Sequence, residues 1–86
     1  MKKQKVRWKP PPPFSVMVEY KGFDRERDKA ICAAVGRRHD GAGFSFTEGW
    51  RDLEFGFHRR TSAIAAAKRA KQLGGVNATV TGRVWP

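Results

Sequence analysis

One cysteine, Cys32, occurs in the 86 residues. That rules out an internal disulfide and leaves no Cys-x-x-Cys pair for zinc or redox chemistry, so stability has to come from packing. Long apolar runs are also missing. The longest, Ala30 to Val35, is six residues, against the roughly 18 that a membrane-spanning helix needs. The basic start, Met1 to Lys9, leads into Pro10 to Pro13 instead of an apolar stretch. It cannot act as a secretory signal, and the chain is expected in the cytoplasm with no membrane partner. Acids are scarce: 8 Asp+Glu stand against 18 Lys+Arg, a net charge of +10. Such an excess favours polyanions or acidic protein surfaces as partners. No Ser/His/Asp arrangement, phosphate-binding Gly-rich loop or dinucleotide fingerprint is present, so neither catalysis nor a cofactor is expected. What remains is 40% hydrophobic and 30% charged, too apolar for a disordered polyampholyte and too charged for a membrane protein. The length suits one domain.

Charge is unevenly placed along the chain. Lys2, Lys3, Lys5, Arg7 and Lys9 put five positive charges and no acid into the first 13 residues. The four consecutive prolines favour an extended, semi-rigid spacer. Residues 1–13 therefore read as a basic arm and 14–86 as the domain. Trp8 either anchors a partner or folds back on the domain.

From Phe14 the sequence alternates, with Phe14, Val16, Val18 and Tyr20 on one face of a strand. Asp24 is a helix N-cap, Glu26 and Asp28 fall in the first turn, and Ala30, Ile31, Ala34 and Val35 form an apolar stripe that Gly36 ends. Gly41 to Gly43 open a second strand carrying Phe44 and Phe46, and Leu53, Phe55 and Phe57 mark a third. Glu48-Gly49-Trp50-Arg51 is expected as the tight connection between them. Thr61 or Ser62 is expected to cap a second helix of Ala63, Ile64, Ala66, Ala67, Ala70 and Leu73, ended by Gly74; Val76 to Val84 forms a last strand. The order is βαββαβ. It predicts a ferredoxin-like α+β sandwich, a four-stranded antiparallel sheet with both helices on one face. Phe14, Val16, Val18, Phe44, Phe46, Leu53, Phe55, Phe57, Val80 and Val84 are the expected core positions of the strands.

Phe55-Gly56-Phe57 resembles the middle of the RNP1 element of RNA-recognition motifs. In that family the strand aromatics stack bases on the open face, whereas alternation here turns Phe55 and Phe57 to the core, and Leu53 and Glu54 replace the expected basic residue. Acylphosphatases are similar in topology, but Lys21-Gly22-Phe23-Asp24-Arg25 lacks their Gly-rich anion cradle. Cys32, His39 and His58 are the candidates for thiol or metal chemistry. The predicted topology keeps both histidines far from Cys32, and all three read as structural or surface residues.

Placing charges on the topology gives the strongest signal. Arg37 and Arg38 follow the first helix, Arg59 and Arg60 precede the second, Arg83 lies near the end of the last strand, and the arm emerges alongside. These segments share one pole, opposed only by Asp40, while Asp24, Glu26, Asp28, Glu48 and Asp52 gather at the other. Thr61 and Ser62 would add donors at a helix N-terminus, where anions are favoured. The expected function is a non-enzymatic module binding DNA or RNA phosphates through Lys2, Lys3, Lys5, Arg7, Lys9, Arg37, Arg38, Arg59, Arg60, Thr61, Ser62 and Arg83. The alternative is a docking protein that contacts a protein or ribonucleoprotein partner through Trp8 or Trp50. In size and style it is similar to bacteriophage accessory and inhibitor proteins, including anti-CRISPR proteins; oligomeric state stays open.

Overall fold

The computed structural model describes residues 12–82, as β1 (Phe14–Lys21), α1 (Arg25–Val35), β2 (Gly41–Ser45), β3 (Trp50–Phe57), α2 (Arg60–Lys71) and β4 (Asn77–Gly82). The order is the expected βαββαβ. Its strands form one antiparallel sheet, β2-β3-β1-β4, a ferredoxin-like α+β arrangement. Most of the arm and the segment after Gly82, including Lys2, Lys3, Lys5, Arg7, Trp8, Lys9, Arg83 and Val84, lie outside the described residues.

Register assigns the faces. Val16 pairs with Phe55 and Val80, and Val18 pairs with Leu53 and Ala78, so these residues share the helix-facing side. Tyr20, Ile31, Val35, Ala63, Ala66, Ala67 and Ala70 join them in a single core. Large residues come from the strands and alanines from α2, which lets the helix lie close to the sheet. Because Phe55 is wholly buried, Phe55→Ala would cost about 3–5 kcal/mol. Asp24 caps α1 as expected, accepting from the Glu26 N–H at 2.9 Å. Gly36 closes the helix in a left-handed conformation that glycine adopts without strain.

Several sequence expectations change. Trp50 and Arg51 belong to β3, and the connection is residues 46–49, closed by the Gly49 N–H donating to the Ser45 carbonyl at 2.6 Å. This moves Phe46 out of the strand and away from the core, to 92% exposure. Phe44 is only half-buried, while Ile64 and Leu73 are exposed. Neither Thr61 nor Ser62 caps α2. Arg59 holds the N-cap position without a side-chain hydrogen bond, and the two hydroxyl residues lie exposed in the first turn. His39 is not far from Cys32, since its Nδ1 lies 3.5 Å from Sγ. The Gly36 turn folds the chain back and brings them together.

Candidate nucleic-acid interface

The strand ends settle which residues meet. Phe14 pairs with both Phe57 and Gly82, so the start of β1, the end of β3 and the end of β4 form one pole. Arg59 and Arg60 follow β3 directly and begin α2 there. Arg37 is brought to the same pole by donating to the Gly56 carbonyl at 2.5 Å. The topology thus gathers Arg37, Arg38, Arg59, Arg60, Thr61 and Ser62.

Their environments differ. Arg37 is engaged within the fold: it pairs with Asp40 at 3.2 Å and covers the Phe57 ring at 5.5 Å. Asp40 in turn accepts from the Gly56 N–H at 2.6 Å. Together they tie the α1–β2 connection to β3. The side chains of Arg38, Arg59 and Arg60 are exposed and make no hydrogen bond or ion pair among the described residues. The first turn of α2 has neither an acid nor a side-chain cap, which leaves its terminal N–H groups and dipole beside Arg59 and Arg60.

Lys68, Arg69 and Lys71 read in the sequence as one solvated face, and the structure separates them. Arg69 reaches back to α1, donating to the Ala34 and Val35 carbonyls at 2.7 and 2.8 Å. α1 has no basic residue in its own last turn, so Arg69 supplies the missing C-terminal cation. Arg27 similarly holds the Gly74 carbonyl at 2.7 Å. Neither role shows in local sequence, because each partner comes from another element.

At the opposite pole Lys21, Arg25, Arg27 and Arg51 stand among the acids, which makes that pole mixed in sign. Asp28 is buried there. It accepts from the Tyr20 hydroxyl at 2.5 Å and from Arg51 Nη2 at 2.8 Å. Burial, followed by the hydrogen bond to Asp28, holds the Tyr20 phenol above its usual range; the hydrogen bond from Arg51 to Asp28 raises the guanidinium. Arg51 also lies over Phe23, 4.4 Å from the ring centroid. Phe23, Phe44 and Phe46 then stack edge to face, with centroids 5.8 and 5.1 Å apart. Phe23 is 54% exposed. Sequence reasoning missed this ledge by assigning Phe46 to the core. Trp50 is half-buried and lines a cleft of about 340 Å³ with Glu19, Glu48 and Asp52.

No group of three or more metal-ligating side chains occurs among the described residues, and no described helix is long and apolar enough to cross a membrane. Cys32 and His39 line neither that cleft nor the one of about 360 Å³ beside Arg37 and Asp40. No protein-family model, curated protein or solved structure matches this chain.

Proposed function

We propose that this protein is a non-enzymatic binding module that engages DNA or RNA phosphates through its basic pole and arm. One observation carries the reading. Arg27, Arg37, Arg51 and Arg69 are held by carbonyls and carboxylates inside the fold, whereas the side chains of Arg38, Arg59 and Arg60 are exposed and without a partner among the described residues, the latter two at an uncapped helix start. Free guanidinium forks match phosphate oxygens, and the helix terminus adds donors of the right polarity. The test is fluorescence anisotropy with labelled duplex DNA and RNA, comparing wild type with Arg59→Glu/Arg60→Glu. Affinity should fall about tenfold or more as two contacts become repulsive. Unchanged affinity in a folded variant rules the interface out.

A second reading, docking on a protein or ribonucleoprotein complex in the manner of small phage inhibitors, draws on the exposed ledge of Phe23 and Phe46. Aromatic side chains are frequent interface anchors. Phe46→Ser would abolish such docking and leave nucleic-acid affinity intact.

A further inference from the structure

The sheet surface left uncovered by the helices is acidic. It presents Glu19 from β1 and Asp52 and Glu54 from β3, and Lys21 is the single cation on this face of the described strands. Glu19 and Asp52 are direct cross-strand partners, a placement in which like charges repel. Neither has a salt bridge among the described residues. Glu48 stands in the adjoining turn and lines the same cleft as both. Beside the acids β2 offers only Gly41, Gly43 and Ser45. A Cβ at Gly43 would lie 2.8 Å from Asp52 Oδ1, so the carboxylate occupies space that a side chain would fill.

The chain approaches β1 over this same face. Pro12 sits on Gly56, where a Cβ would meet its Cγ at 2.8 Å, and Pro12 and Pro13 line a cleft with Ser15, Glu54 and Thr81. From Gly56 to Asp52 is four residues of β3, about 14 Å. Four extended residues from Pro12 back to Trp8 cover about 12–14 Å. Lys9, Arg7 and Lys5 therefore have the reach to meet Glu54, Asp52, Glu19 and Glu48 in turn.

We propose that the open sheet face is the seat of this chain's own segment Met1 to Lys9, held by its cations against those four carboxylates. The inference does not rest on nucleic-acid binding. It explains why this face keeps opposed acids that no described residue neutralises.

A nitroxide attached at Gln4→Cys, in a Cys32→Ala background of the full chain, tests it by paramagnetic broadening of backbone amides. Glu19, Lys21, Trp50 and Asp52 should lose most of their intensity, while Ala33 and Ala65 on the outer helix faces should keep theirs. The effect should vanish in Glu19→Gln/Asp52→Asn, and in 1 M NaCl, where the screening length falls to about 3 Å. Equal broadening on both faces, or broadening indifferent to salt, overturns the proposal. Broadening of an unlabelled copy mixed with a labelled one also overturns it, by assigning the segment to a second molecule. A variant that keeps Cys32, Lys5→Glu/Arg7→Glu/Lys9→Glu, gives an independent reading: amide shifts should move at Glu19, Asp52 and Glu54 and stay fixed in α1 and α2. Fixed shifts at the three acids overturn the proposal. No nucleic acid is present in either measurement, so failure here leaves the basic-pole reading standing.

Discussion

Asp28→Ala should be among the most damaging single substitutions of a charged residue in the described fold. Asp28 is the one charged side chain counted in the buried set, at 9% exposure. Its carboxylate receives the Tyr20 hydroxyl at 2.5 Å and Arg51 Nη2 and Nε at 2.8 and 3.1 Å. Removing it strands a guanidinium whose side chain is only 13% exposed. Breaking a buried pair in this way costs about 3–5 kcal/mol. A domain of this size has about 4–11 kcal/mol in total, at about 0.05–0.15 kcal/mol per residue, so a large share of the stability is lost. The melting temperature should drop by about 12 °C or more.

Urea unfolding followed by far-UV circular dichroism measures the change, with Glu26→Ala as the control. Glu26 pairs with Lys29 on the surface, at 83% and 76% side-chain exposure, and such pairs contribute about 0–1 kcal/mol. Asp28→Ala/Arg51→Met should recover part of the loss, because no unpaired cation is left beneath Phe23. A loss under about 1 kcal/mol for Asp28→Ala, or strict additivity in the double variant, would refute the reasoning.

Tyr20 is the only tyrosine, so absorbance at 295 nm reports its titration alone. Its pKa is raised in the fold, hence its stabilising contribution is complete below the ordinary value of 10.0 and is lost as pH climbs through the raised one; the absorbance step should fall above 10 and Tyr20→Phe should flatten stability across that interval. Arg69→Ala should lower stability by about 1 kcal/mol or more through loss of two hydrogen bonds to α1, one exposed and one part-buried, with Arg69→Lys failing to restore both. Phe46→Ser should leave the melting curve within about 0.5 kcal/mol of wild type, since the ring is 92% exposed.

Sequence reading reached the fold because its signals are local: alternation in β1, the Asp24 cap and the Gly36 stop each require only a few neighbouring residues. It failed where the deciding contact is distant. Four residues in the hairpin connection place Trp50 opposite Ser45 and start β3 earlier than expected, so the even alternation through Phe44 and Phe46 does not continue into the core. Arg51 looks like a turn residue until the register sets it beside Tyr20, above Asp28. Arg69 sits on an otherwise solvated helix stripe, and only the antiparallel packing of α2 on α1 reveals its role as a cap. That Arg37, Arg59 and Arg60 share the pole at the end of β3 was legible from topology, but the division of these arginines was not, because a guanidinium's partner is fixed in three dimensions.

That division limits what the net charge of +10 means to a polyanion. Arginines already bonded to carbonyls and carboxylates cannot turn to phosphate without giving up contacts that hold α1, β3 and the α2–β4 turn together. Arg38, Arg59 and Arg60 remain at the pole, and the segment before the prolines adds five cations. Each neutralised phosphate contributes about −0.9 to the slope of log K against log salt. Binding by the three pole arginines alone predicts a slope of about −3, whereas recruitment of all eight cations predicts about −7. If the basic segment lies on the acidic sheet face, polyanion must displace it from four carboxylates before gaining its charges, so the slope of the full chain should fall near the lower figure. Glu19→Gln/Asp52→Asn, which weakens the competing seat, should steepen it. An unchanged slope in that variant, with the segment still present, would mean that the open face and the basic pole do not compete for the same cations.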